Sequence, residues 1–93
     1  MKIQGTLLHY EDGKFVEDAV QSIRSALVSH LKVTELEIID IYFGEIFTEY
    51  NVVRLYFDVK VSFQDESTKI MMGVVTFNPK PNNQSERLQA RIN

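Results

Sequence analysis

Ninety-three residues, 44% hydrophobic and 25% charged, suffice for one soluble core without staples and leave no room for a second domain. The absence of cysteine excludes disulfides, thiol nucleophiles and cysteine-ligated metals. No segment approaches the roughly 18 apolar residues of a membrane span, and MKIQGTLLHY has no apolar run after a basic stretch. A cytoplasmic protein without membrane contact is therefore expected. The net charge of −3 is unevenly spread. Residues 1–49 hold four bases against nine acids, a balance of −5, and the remainder six bases against four acids, +2. An acidic front half repels phosphate backbones and favours a basic protein partner.

In chain order, KIQGTLLHY reads as a short first strand with Gly5 a weak point. HYEDGKFVED then offers three readings, a hairpin at Asp12-Gly13, the start of a helix, or part of a charged site. Val16, Ala19, Val20, Ile23, Leu27 and Leu31 keep a 3.6-residue period for over four turns, which predicts a helix from Phe15 to about Lys32. That period leaves no room for a strand after Lys14, so Asp12-Gly13 is assigned to the turn into the helix. Asp12 can accept from the first free N–H groups, and Glu17 and Asp18 are assigned to the first turn, where acids suit the dipole.

LEIIDIYFGEIF has strand composition, but its alternation breaks near Gly44, which predicts a bend or bulge. In residues 51–64, Val53, Leu55, Phe57, Val59, Val61 and Phe63 alternate with Arg54, Tyr56, Asp58, Lys60 and Ser62. This is a long strand with one buried and one wet face. After a polar turn at Asp65-Glu66-Ser67, TKIMMGVVTFNP is apolar on both faces, so a strand that is central or covered on both sides is expected. Pro79 and Pro81 are read as the end of the sheet. Leu88 and Ile92, four apart, with Asn83 and Glu86 placed as a capping box, suggest either a short C-terminal helix or a mobile tail.

The expected fold is α+β: an antiparallel four-stranded sheet packed on one long helix, in the order β-α-β-β-β. This order resembles the cystatin-like roll. The inhibitory hairpin signature of that family is absent, the corresponding turn reading IFTEYNV, so the resemblance implies a fold and not protease inhibition. The alternative α-β-β-β-α order, with the first strand peripheral, resembles a double-stranded-RNA-binding domain. The lysine cluster of that family is missing, with Lys80, Arg87 and Arg91 in its place.

Chemistry is sparse. Ser29 and His30 project about 100° apart on a helix, too divergent for a relay, and His30 suits the helix C-terminus. No His-x-x-x-His or calcium loop occurs, and no cofactor or metal is expected. Asp40 and Asp58 could share the wet sheet face as an acid–base pair, although charged residues are ordinary there. The more informative set is Asp40, Tyr42, Arg54, Tyr56, Asp58 and Lys60, to which Tyr50 is added as a nearby aromatic. Tyrosine and arginine among charges are enriched at protein interfaces. Ser22, Ser25, Ala26 and Ser29 form a small-residue stripe that is either the polar helix face or a homodimer seam. The expectation is a non-enzymatic protein-binding module, a regulator or immunity-type protein. The alternative is a nucleic-acid-binding module that uses the C-terminal bases.

Overall fold

The computed structural model describes residues 1–5, 13–78 and 87–93. Its elements are β1 (Lys2–Gly5), α1 (Gly13–Leu31), β2 (Glu37–Glu49), β3 (Val52–Ser62), β4 (Thr68–Phe77) and β5 (Leu88–Ile92). The fold is α+β, one helix packed on a five-stranded sheet of order β1-β2-β3-β4-β5.

The helix begins at Gly13, so strand pairing at Lys14–Asp18 is excluded and Asp12-Gly13 is not a hairpin turn. Asp12 itself lies outside the described residues. The early start places Glu17 and Asp18 beyond the first turn, which contains no acid, in correction of the dipole assignment. The periodic stripe does what its spacing predicts: Ala19, Ile23 and Leu27 are fully buried against the sheet. Past the last helical residue, Lys32 takes the left-handed backbone, φ 55°, where a helix terminus favours glycine. A lysine there costs about 1 kcal/mol against its Cβ, partly offset in a glycine by backbone entropy. Lys32→Gly is therefore expected to stabilise the fold by about 0.5 kcal/mol, read as a rise in Tm; a fall would show that the lysine side chain contributes more than its backbone costs. The Arg24 guanidinium donates to the Leu36 carbonyl oxygen (3.2 Å), tying the helix to the segment that leads into β2.

The hairpins follow turn chemistry. Between Glu49 and Val52, Tyr50 and Asn51 both have positive φ, 52° and 67°, the two-residue turn whose twist matches that of the strands. At the β3–β4 turn, Ser67 donates to the Asp65 carboxylate from its hydroxyl (2.5 Å) and its amide (3.0 Å). Those two bonds hold the Asp65 carboxyl below its ordinary value.

Four expectations are corrected. The sheet has five strands rather than four, and it is mixed: β1 pairs with β2 in parallel, and the other pairs are antiparallel. The helix between β1 and β2 carries the chain back to the starting end, and a strand entered after such a crossover runs parallel to the first. Residues 88–92 form a strand, not a helix or a mobile tail, so the α-β-β-β-α order is not formed. Spacing of four satisfies both periods: Leu88, Ala90 and Ile92 also alternate, and they face the core from β5. The proposed cap at Asn83 and Glu86 lies outside the described residues, as do Pro79 and Pro81. The prolines do not end the sheet, because the Asn78 amide donates to the Arg87 carbonyl oxygen (2.7 Å), where the chain returns to the sheet as β5.

One core cluster joins helix and sheet. Phe43, Ile41, Val59, Val61 and Val75 are almost completely buried, with Phe57, Leu55, Ile38 and Met71 beside them. The helix lies nearest β5, then β4. Its first turn is fixed by an edge-on contact of Phe15 with Phe77 (5.2 Å between ring centroids), and Arg87 lies over the same Phe77 ring at 5.9 Å. All of this occupies one face of the sheet.

Candidate functional site

The opposite face carries the candidate residues. Alternation along β3 sends Leu55, Phe57, Val59 and Val61 inward, and therefore Arg54, Tyr56, Asp58 and Lys60 outward. The register extends these into rows across the sheet. Lys2, Asp40, Lys60 and Ile70 are successive neighbours on β1 to β4; the next row is Gln4, Tyr42, Asp58 and Met72. Tyr56, Val74 and Arg91 form a third row, and Phe47, Arg54, Thr76 and Gln89 a fourth. All six residues singled out from the sequence thus share one surface. Tyr50 does not join the rows, being at the hairpin tip, 91% exposed.

The sequence reading missed Phe47, Ile70 and Met72, and it had Arg91 among the C-terminal bases but not on this face. Uninterrupted alternation from Phe43 would send Phe47 inward. The register instead slips between Phe43 and Ile46, so Gly44 and Glu45 together oppose Tyr56, Ile46 turns inward and Phe47 outward. One extra residue in a strand exchanges the faces of everything after it. Phe47 then meets Tyr56 edge-on, 5.8 Å between centroids. A second slip beside Ile39 keeps Ile38 inward and Asp40 outward.

Of the two expectations for β4, the central strand is the one formed, and Ile70 and Met72 exclude cover on both sides. The strand is interior to the sheet and flanked by β3 and β5, but it is not covered on both sides: Ile70 is 68% and Met72 62% exposed. With Tyr42, Phe47 and Tyr56 they make the outer face an apolar surface. Val74, also outward, is buried in a row between Tyr56 and Arg91.

The electrostatics differ from those of the front half as a whole. Lys2, Arg54, Lys60 and Arg91 share this face with Asp40 and Asp58, and Arg54 lies 3.7 Å from Glu49. Exposed acids such as Glu17, Asp18 and Glu35 lie on the helix or in the loop after it. The face is therefore of mixed sign. Asp40 stands directly opposite Lys60, and Asp58 opposite Tyr42, so the two carboxylates are diagonal neighbours on an open surface. The depression beside Asp58, between Tyr42, Tyr56 and Met72, has a volume of about 170 Å³, and a second, of about 630 Å³, lies on the same face between Arg54, Tyr56, Thr76 and Arg91. Among the described residues no group of three His, Cys, Asp or Glu side chains could hold a metal ion. No described helix is long and apolar enough to cross a membrane. On the helix, Ser25 and Ser29 of the small-residue stripe are exposed, and Ala26 packs against the core.

Comparison with protein-family models, with curated proteins and with solved structures gives no match.

Proposed function

We propose that this protein is a non-enzymatic protein-binding module and that it docks through the outer face of its sheet. The observation that carries this reading is that Tyr42, Phe47, Tyr56, Ile70 and Met72, the large apolar side chains exposed within strands, all lie on the face the helix does not cover. Exposed apolar surface gathered in one patch and mixed with charge is the composition of an interface. The exposed apolar side chains are spread over β2, β3 and β4 and extend beyond either depression on the face, Phe47 and Ile70 lining neither, which suits a macromolecule better than a metabolite. Its mixed charge supports a partner that presents both signs, rather than the basic partner that the charge of the front half suggests.

A specific observation favours a second reading. Tyr42, Phe47 and Tyr56 lie on the same face as Lys2, Lys60, Arg54 and Arg91, and aromatic rings beside bases can stack single-stranded nucleic acid. Asp40 and Asp58 among those rings, and a net charge of −3, weigh against it.

Substitutions on the face separate the two. Immobilised protein is used to recover a partner from cell extract, and binding is then measured with purified components. For a protein partner, Tyr56→Ala is expected to speed dissociation, and Asp58→Lys to change the association rate. For single-stranded oligonucleotides, Arg91→Ala is expected to weaken binding and Asp58→Lys to strengthen it. Binding that ignores every one of these substitutions would remove the sheet face from consideration.

A further inference from the structure

We infer that the outer sheet face is the contact between two copies of this chain, packed sheet against sheet. The inference rests on the docking reading above and names the occupant. β4 is apolar on both sides, Met71 and Val75 inward, Ile70 and Met72 outward, a pattern belonging to a strand with a layer on each face. The chain supplies one layer, the helix, on the inner side. No described residue packs over Ile70 and Met72, and a second copy supplies that outer layer.

Size and charge fit a second copy. β2, β3 and β4 run 13, 11 and 10 residues. With strands rising ~3.4 Å per residue and spaced ~4.8 Å apart, the five-stranded face projects on the order of 700 Å², close to the roughly 800 Å² each partner contributes to a stable interface. Two sheets stack about 10 Å apart with their side chains interdigitated, and Tyr42, Met72, Tyr56 and Phe47 are unbranched or aromatic side chains long enough to interdigitate. In a two-fold pair the same patch must complement itself. A face of one sign would repel its copy. This one holds Asp40 and Asp58 beside Lys2, Lys60 and Arg91, while Arg54 is engaged by Glu49 of its own chain, so each copy offers the other both signs around an apolar centre.

Sedimentation equilibrium of the whole chain over a concentration series tests this. The expected mass is twice 10.8 kDa. Ile70→Lys/Met72→Lys is expected to return it to 10.8 kDa while the thermal transition stays cooperative. If the lysines prevent folding, Ile70→Thr/Met72→Thr retains strand propensity and is expected to weaken dimerisation at least ~tenfold, about 1.4 kcal/mol. Ser25→Arg/Ser29→Arg on the helix is expected to leave the dimer intact. A dimer that survives both β4 variants, or that only the helix variant dissociates, overturns the inference. A monomer at every concentration also overturns it, and what the face then binds decides the wider reading. A different protein released by the β4 variants leaves the protein-docking function standing. Oligonucleotide binding lost with Arg91→Ala removes that as well.

Discussion

Replacing Phe57 by alanine is expected to remove about 3 to 5 kcal/mol of stability, whereas replacing its neighbour Tyr56 removes about 1 kcal/mol. Phe57 is 3% exposed, tilted against Phe43 at 6.3 Å between centroids, and its ring lies across Gly73 of the next strand. Deletion would leave a cavity bounded on one side by the Gly73 backbone, which relaxes little. Tyr56 is 40% exposed and holds one edge-on contact with Phe47. The two should be compared in the Ile70→Lys/Met72→Lys background, so that self-association adds nothing to the cost of Tyr56. Denaturant melts giving equal losses would mean that β3 is covered on both faces within a single chain, contrary to the fold described above.

Gly73→Ala is expected to cost about 2 to 3 kcal/mol although it adds a single methyl. A Cβ at this position would lie 2.3 Å from the Arg91 carbonyl oxygen and 2.6 Å from Cζ of Phe57. The ring could swing at the expense of the core, but the carbonyl belongs to β5, so the edge strand itself must shift. Amide exchange should then show lost protection in residues 88–92, with β2 and β3 largely protected. Gly44→Ala is the control, since its Cβ would find its nearest atoms at 3.8 and 3.9 Å, and a change within about 0.5 kcal/mol is expected. Similar costs for both alanines would contradict the close approach of β4, β5 and Phe57.

These glycines show where reading a chain residue by residue stops. Gly44 was legible as a bulge because the alternation around it breaks. Gly5 stood out as a weak point in a strand; the structure gives the reason for glycine there, with φ at 98° and a Cβ that would collide with the Phe43 carbonyl oxygen. Nothing in IMMGVVT distinguishes Gly73, since what excludes its Cβ comes from β3 and β5, 16 and 18 residues away in the chain. The candidate site divides in the same way. Arg54, Tyr56, Asp58 and Lys60 share a face by alternation within one strand, and Asp40 and Tyr42 join them once β2 pairs with β3. Phe47 and Arg91 required a bulge to be counted and a last strand to be recognised.

By itself the sequence determined the elements whose periods are unambiguous: a helix from Phe15 to about Lys32, which the structure starts two residues earlier, the β3 strand with its inner and outer faces, and turns within IFTEYNV and at Asp65–Ser67. Each of these depends on side chains within a few residues of one another, and local backbone geometry converts spacing directly into a face. The tertiary structure alone decided that β1 runs parallel to β2, that Leu88–Ile92 is a strand, and that Ile70 and Met72 on the outer side of β4 are exposed. A spacing of four fits helix and strand alike, and Leu88 and Ile92 become a strand because the free edge of β4 offers backbone partners and the helix offers an apolar surface to cover. Whether an apolar strand face is covered depends on how many layers the whole chain can supply. Among the described residues the chain supplies one helix for a sheet in which β4 is apolar on both sides.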